Sequence, residues 1–229
     1  MTVKNNMLGA TLFAALLMPQ AAMAGPEDRQ ALFGETHLHT NLSFDAFIFG
    51  NRNGPDAAYD FAKGKAITHP LGFEMKMRVP LDFQAVTDHA AYLGMVPAMF
   101  DPESSVASHP LATRLREAKT ARDRRQAFGG LLPYIGQQVE DDLLDMNIVR
   151  DTWAEVKASA ERHNEPGKFT TFIGYEYTSS QDTFENLHRN VLFKGDAPNE
   201  PFSRLISKNP ENLWRWMDSL RALGMDSTA

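Results

Sequence analysis

Two short segments of the sequence place imidazole and carboxylate side chains at spacings that suit metal binding. His37 and His39 are separated by one residue in the segment GETHLHT. Residues i and i+2 of a β-strand point to the same face, so these imidazoles would lie side by side and could chelate one ion. Asp88 and His89 end the apolar segment PLDFQAVTDH. A His-x-His pair alone is a weak signal, and it predicts a metal site only together with other candidate ligands.

Further candidate ligands occur as single residues. Asp45 lies six residues after the second histidine, and Glu176 lies in the apolar segment FTTFIGYEYT. A carboxylate in such a segment is costly unless a cation or hydrogen bonds compensate it, and Glu176 could instead pair with Arg189. His188 is either a ligand or a hydrogen-bonded neighbour of the site. The predicted ligand set is His37, His39, Asp45, His89, Glu176 and His188.

Asp88 and His89 are also the predicted catalytic residues. They end an apolar segment that is typical of a buried strand, and α/β enzymes gather their sites at the carboxyl ends of strands. The alternative is that Asp88 caps a helix and His89 lies on the surface. The other histidines, His69, His109 and His163, are expected to be exposed or to cap helices.

The pattern of apolar residues predicts an α/β fold. Strands are expected at 31–39, 80–89, 169–178 and 188–193, and amphipathic helices at 111–127, 139–163 and 211–223. Residues 41–79 are rich in glycine and proline and predict a long loop, which is usually functional when it lies inside a compact domain. Strands separated by helices or long excursions favour a mainly parallel sheet.

The composition limits the partners and the kinds of site. With 229 residues and 43% hydrophobic content, one globular domain is expected. The net charge of -6 without a basic block argues against a nucleic-acid polymer as a partner. The sequence has no cysteine, so a metal would need nitrogen and oxygen ligands. Basic residues of the 41–79 segment could contact an anionic substrate, although such charges more often form a solvated surface: Arg52, Lys63, Lys65, Lys76 and Arg78.

The first residues predict a secretory signal peptide. Lys4 precedes an apolar run at 7–18, and Ala22-Met23-Ala24 fits a cleavage site. A membrane anchor is the alternative, but the run has only about half of the roughly 20 apolar residues that span a bilayer. The prediction is a signal peptide at 1–24, a hydrolase domain at 25–229, a periplasmic or secreted location and no membrane contact after cleavage.

Taken together, these motifs resemble a known family. The pattern H-x-H-T-x-x-S-x-D-A, then T-D-H after a buried strand, then a glutamate near the end of a later strand resembles the PHP (polymerase and histidinol phosphatase) superfamily of metal-dependent phosphoesterases. The segments LFGETHLHT, FAKG and PLDFQAVTDHAAYLG are similar to an often secreted branch of PHP-like proteins, and the resemblance spans Leu32 to the last residue. It implies a distorted seven-stranded β/α barrel that holds two or three divalent ions, commonly zinc, manganese or iron.

The resemblance also implies roles for the first four ligands. His37 and His39 would bind the first ion. Glu176 would bridge the first and the second ion, and His188 would bind the second.

The remaining site residues follow from the same resemblance. Asp45 and His89 would bind a third ion, and Asp88 would orient His89 or transfer a proton. PHP proteins supply a further histidine and a late Asp-x-His pair, and this chain shows neither. We therefore expect the amino-terminal part of a longer protein, or a truncated reading frame, with a barrel that is incomplete at its carboxyl end.

The expected activity is hydrolysis of a small anionic phosphate ester by a metal-activated water. An amidohydrolase-like esterase or phosphotriesterase is the second interpretation as an enzyme, because those barrels also begin with His-x-His. The Ser-x-Asp and Thr-Asp-His motifs, and the absence of a clear metal-bridging lysine in the middle of the chain, favour the PHP interpretation. The third interpretation is a non-catalytic, truncated metal-binding fragment.

Overall fold

A computed structural model of the protein describes residues 29–180 and 186–229. The predicted signal peptide at 1–24 lies outside the described residues. Leu32–Ala229 form one compact unit. Within the described part of the chain, every helix is too short or too polar to cross a bilayer.

Seven helices and seven strands are present in the described residues. The helices are α1 (Phe44–Ile48), α2 (Pro55–Ala62), α3 (Met95–Ala98), α4 (Pro110–Glu117), α5 (Ala121–Ile135), α6 (Met146–His163) and α7 (Pro210–Arg221). The strands are β1 (Gly34–Glu35), β2 (Ile67–Thr68), β3 (Glu74–Met75), β4 (Phe83–Val86), β5 (Thr170–Ser180), β6 (Asn186–Lys194) and β7 (Asp226–Thr228).

Five of the strands form one mixed sheet in the order β1-β4-β5-β6-β7. The pairs β1/β4 and β4/β5 are parallel, whereas β5/β6 and β6/β7 are antiparallel. The α/β class is confirmed, but the prediction of a mainly parallel sheet was wrong for β6 and β7. Only residues 181–185 separate β5 from β6, and a parallel crossover needs about a dozen residues or more. In the described residues the sheet is open and forms no closed barrel.

The predicted loop at 41–79 contains regular structure. It holds α1, α2 and the antiparallel pair β2/β3. The helix α2 begins with Pro55 at its first position, where proline's fixed φ favours a helix start. The loop prediction was therefore wrong, because helices of five and eight residues leave too short a periodic pattern to stand out among glycines and prolines.

The helix predicted at 111–127 is two helices, α4 and α5. The second begins at a capping box, in which the Thr120 hydroxyl accepts from the Asp123 backbone N–H and the Asp123 carboxylate accepts from the Thr120 backbone N–H. The helix predicted at 139–163 begins later, because the Asp145 carboxylate caps α6 by accepting from the Asn147 N–H. Local side-chain bonds thus set both boundaries.

The first two predicted strands are shorter than the sequence suggested, since β1 ends at Glu35 and β4 at Val86. Beyond these ends, hydrogen bonds still join the two segments. The Thr87 backbone N–H donates to the Leu38 carbonyl at 2.8 Å, and the Leu38 N–H donates to the Thr87 hydroxyl at 3.0 Å. These bonds keep the residues around Leu38 extended, so the i and i+2 geometry persists after the strand ends.

The two faces of β5 have different environments. Tyr175 and Tyr177 point to the face that the helices cover, where the fully buried Trp153 of α6 packs edge-on against Tyr175 at 5.7 Å between ring centroids. The Trp153 indole N–H also donates to the Pro198 carbonyl at 2.7 Å. Because side chains alternate along a strand, Glu176 points to the opposite face of β5 from the one on which α6 packs.

Gly94 lies five residues after His89 and starts α3 with φ +74°. A Cβ at this position would overlap the Thr152 side chain of α6. We expect Gly94→Ala to lower the free energy of unfolding by about 3 kcal/mol, through the left-handed backbone and the overlap together.

Gly72 is the matched control, since it has φ +89° and a Cβ added there would meet open space within 4 Å. Gly72→Ala should cost only about 1 kcal/mol, from the backbone alone. Chemical denaturation measures both values. Equal effects of the two substitutions would show that α6 does not pack closely against this turn.

Candidate metal centre

All six predicted ligands come together around Glu176, which points away from the face of β5 that α6 covers. We call them the candidate centre. Their positions are the segment after β1 for His37 and His39, α1 for Asp45, the segment after β4 for His89, β5 for Glu176 and β6 for His188. Several separate parts of the fold are therefore needed to assemble it.

Glu176 lies in the middle of the candidate centre, with a side chain that has no solvent exposure. Its Oε2 lies 2.8 Å from His37 Nε2 and 2.7 Å from His39 Nε2. Its Oε1 contacts His188 Nδ1 and accepts a hydrogen bond from the Thr178 hydroxyl. The two histidines of the His-x-His motif thus reach one carboxylate oxygen, as the i and i+2 spacing predicts.

His39 connects two carboxylates through its two ring nitrogens. Nε2 faces Glu176, and Nδ1 lies 3.1 Å from Asp45 Oδ2. Burial lowers the pKa of His39, but hydrogen bonds to Asp45 and Glu176 outweigh it and raise that pKa to about 10. Asp45 Oδ2 also lies 3.6 Å from His89 Nε2.

The pKa values of both carboxyl groups shift in the opposite direction. Burial raises the pKa of Glu176, but the His39 hydrogen bond and the charge of His89 outweigh it and hold that pKa well below its usual range. Burial also raises the pKa of Asp45, but the hydrogen bonds with His39 and His89 outweigh this effect and hold that pKa well below its usual range. Without a cation, the carboxylates are therefore charged and hold a proton on His39.

Two sets of three side chains have ligand atoms within 4.8 Å of one another: His37, His39 and Glu176, and His39, Asp45 and His89. Both sets combine imidazole nitrogen with carboxylate oxygen. Such donors suit zinc, manganese and iron. The geometry of these residues can therefore hold a metal ion.

Neighbouring side chains fix the ring of His89. Its Nδ1 lies 2.9 Å from the Thr178 hydroxyl oxygen, and its ring stacks on Phe44 at 4.6 Å with an interplanar angle of 9°. The His89 backbone N–H donates to the Ser43 hydroxyl at 3.2 Å. These contacts direct His89 Nε2 towards Asp45, and this nitrogen can act as a metal ligand there.

Asp88 makes a different contact from the one that the sequence led us to expect. Its buried carboxylate accepts hydrogen bonds from the Thr40 backbone N–H at 2.6 Å and the Thr40 hydroxyl at 2.7 Å, so it faces Thr40 rather than the ring of His89. Burial raises the pKa of Asp88 to about 6, against the lowering effect of the two hydrogen bonds. Asp88 therefore anchors the backbone next to His39, and its role in proton transfer stays a prediction.

The alternative pairing of Glu176 with Arg189 does not fit the strand register. Glu176 lies opposite Asn190 of β6, and Arg189 lies opposite Tyr177. Arg189 therefore points to the other face of the sheet. Glu176 also lies inside β5 rather than near its end. The neighbouring strand β4 ends before the position beside Glu176, and an isolated bridge pairs Glu176 with His89.

A family model described as "Protein of unknown function (DUF3604)" matches residues 26–229. The chain belongs to this family. The DUF3604 match includes all residues of the candidate centre. Among curated proteins and among solved structures, no match was found.

The remaining histidines of the DUF3604 chain make contacts outside the candidate centre. His109 caps α4 by accepting from the Leu111 N–H at 3.1 Å, as predicted. His69 accepts from the Leu71 N–H at 3.1 Å. His163, at the end of α6, is partly buried beside Asp56.

Three hydroxyl residues around the candidate centre were given no role from the sequence: Thr40, Ser43 and Thr178. Thr178 had a readable signal, because it lies two residues after Glu176 and so shares its face of the strand. Thr40 and Ser43 belong to the H-x-H-T-x-x-S-x-D-A motif, but the sequence did not show which residues they contact, since their partners Asp88 and His89 are distant in sequence.

The protonation of the candidate centre predicts that metal binding releases protons. At pH 8 His39 carries a proton, because its pKa is about 10, and an ion can bind only to its neutral form. Titration calorimetry with Zn²⁺ or Mn²⁺ in Tris and in Hepes should show release of about one proton or more per chain. The released amount should fall as the pH rises through the pKa of His39. Binding enthalpies that do not depend on the buffer at pH 8 would contradict this protonation state.

Proposed function

We propose that this chain is a metal-dependent hydrolase that cleaves phosphate esters. The supporting observation is the buried carboxylate of Glu176, which has three imidazoles on its two oxygens and a fourth, His89 Nδ1, at 3.4 Å from Oε1. A buried carboxylate surrounded by imidazoles, with a second carboxylate close by, is an arrangement that divalent cations stabilise.

More than one ion fits the donor set. The two groups of possible ligands share His39, and Glu176 presents both of its oxygens to histidines. We propose two or three divalent ions, zinc, manganese or iron, held by His37, His39, Asp45, His89, Glu176 and His188. Asp45 would either bind the ion next to His89 or orient His39 through its Nδ1.

Bound ions would supply a water of lowered pKa and neutralise charge on the phosphoryl group. The chain's own residues position that chemistry. Thr178 and Phe44 fix the ring of His89, and Asp88 fixes the segment that carries His39. With a pKa of about 6, the Asp88 carboxyl can hold or lose a proton near neutral pH, which supports its proposed part in proton transfer.

The resemblance to the PHP superfamily belongs to this proposal. Ligands follow β1 and β4, two parallel strands of the sheet, and Glu176 lies on the next parallel strand, as a β/α barrel would place them. The antiparallel strands β6 and β7 depart from that pattern. A PHP-type barrel, export by the predicted signal peptide and a periplasmic or secreted location are proposed with the activity.

The test is hydrolysis of p-nitrophenyl phosphate and bis-p-nitrophenyl phosphate by residues 25–229, stripped of metal and then supplied with Zn²⁺, Mn²⁺ or Fe²⁺. We expect metal-dependent turnover that a His37→Ala, His39→Ala double variant loses. His109→Asn is the matched control, because asparagine keeps the helix cap. Bound metal without turnover would favour a non-catalytic metal-binding protein, and cleavage of p-nitrophenyl acetate alone would contradict a phosphoesterase.

A further inference from the structure

A cavity of about 710 Å³ opens beside the candidate centre. Leu38, His39 and Thr40 form one wall, so the cavity reaches His39 of the candidate centre directly. The other walls come from residues 49–53, from α2 and the β2/β3 pair, and from Arg124 of α5. We call it the arginine cavity.

Two guanidinium groups line the arginine cavity. Arg52 Nη1 donates to the Phe47 and Asn51 carbonyls, both at 2.7 Å, and its guanidinium lies 3.9 Å from the Phe47 ring centroid. These contacts hold Arg52 in place and use only one of its three nitrogens. Arg124 reaches the same wall, since its Nη1 lies 3.4 Å from the position of a Cβ on Gly50.

Neither guanidinium pairs with a carboxylate in the part of the chain that the structure describes. Burial and the charge of Arg124 both lower the pKa of Arg52, which fits two cations close together. Lys63 and Lys65, from the same segment, differ, because they pair with Glu165 and Asp60. In a protein with a net charge of -6, two adjacent arginines without a carboxylate partner form an anion-binding arrangement.

The rest of the arginine cavity is largely apolar. Phe49 and Leu71 are 53% and 82% exposed at its edge, and Phe61, Ile67 and Met75 line it further. Exposed apolar residues grouped around a concave surface mark a ligand site rather than a solvated one. The cavity therefore suits a ligand that combines an apolar body with an anionic group.

We propose that the arginine cavity binds the non-reacting part of the substrate, an apolar body with a second anionic group held by Arg52 and Arg124. The substrate class is then a phosphate ester whose organic part has an aromatic or aliphatic body and a second anionic group, and whose scissile phosphate lies at the candidate centre. The cavity's anion binding stands on the geometry of the cavity alone, and its link to the scissile group rests on the proposed function.

The test measures binding of non-hydrolysable probes to the metal-free protein by titration calorimetry. Benzylphosphonate, benzenesulfonate and phenylacetate compare the anionic groups, and inorganic phosphate lacks the apolar body. Arg124→Met should weaken binding of benzylphosphonate by about 10-fold. Arg125→Met, an exposed neighbour on α5 with the same change in charge, should leave it within about two-fold. Leu71→Ser should weaken benzylphosphonate but leave inorganic phosphate unchanged.

Equal affinities for Arg124→Met and Arg125→Met, or no binding of any probe, would overturn the proposal. Arg52→Met should act like Arg124→Met, but Arg124 decides the test because Arg52 also bonds to the backbone. His37→Ala removes a metal ligand that does not line the cavity. If the probes still bind to this variant and neither the wild type nor any variant hydrolyses an ester, the cavity proposal stands and the hydrolase proposal is refuted. If the protein hydrolyses esters but binds no probe, the hydrolase proposal stands and the cavity proposal is refuted.

Discussion

Replacing Glu176 by glutamine is expected to remove metal binding and hydrolysis together. The substitution keeps the size of the side chain but deletes the charge that His37, His39 and His188 surround. It also places an N–H donor where imidazole nitrogens need an acceptor or a cation. We expect metal affinity to fall by at least about 100-fold and phosphate-ester hydrolysis by about 1,000-fold.

The matched control for this change is Glu161→Gln, on the exposed face of α6. It makes the same chemical change away from the candidate centre and should leave both quantities within about two-fold. Circular dichroism shows whether Glu176→Gln folds. A folded Glu176→Gln protein that binds metal as tightly as the wild type would show that Glu176 is not a ligand.

Replacing Asp88 by asparagine should disturb both the fold and the candidate centre. The amide oxygen can accept from the Thr40 backbone N–H, and the NH₂ group can donate to the Thr40 hydroxyl once that hydroxyl turns its own proton away. Losing two hydrogen bonds to a carboxylate and leaving the buried Thr40 O–H without its acceptor should lower the free energy of unfolding by about 1 to 2 kcal/mol. Because Thr40 adjoins His39, metal affinity should also fall by about 10- to 100-fold.

The control is Asp151→Asn, an exposed residue of α6, which should change stability by less than about 0.5 kcal/mol. Denaturation and metal titration separate two roles for Asp88. If it positions the His39 segment, Asp88→Asn loses stability and metal affinity. Unchanged stability and metal content with lost turnover would instead assign Asp88 to proton transfer.

The grouping of the six residues of the candidate centre could be predicted from the sequence because its signals are local. Spacing by two residues put His37 and His39 on one face even though the strand ends at Glu35, since Leu38 keeps its bonds to Thr87. The cost of burying Glu176 in an apolar strand was equally readable. The structure therefore brings together six residues that lie up to 151 positions apart.

Features that depend on distant parts of the chain could not be predicted. The direction of β6 follows from the short connection after β5, and the sequence pattern within a strand does not show its direction. Thr40 became important only through its contact with Asp88. Arg124 lies on a helix whose pattern shows an ordinary charged face, and only the fold places it beside Arg52.

The most direct test of the proposed metal centre is the metal content of residues 25–229, measured by inductively coupled plasma mass spectrometry after reconstitution and removal of loosely bound ions. We expect two or more zinc, manganese or iron ions per chain, and fewer in the His37→Ala, His39→Ala variant. A wild-type protein that retains no ion would contradict the account, and a single retained ion would contradict a Glu176 carboxylate shared between two.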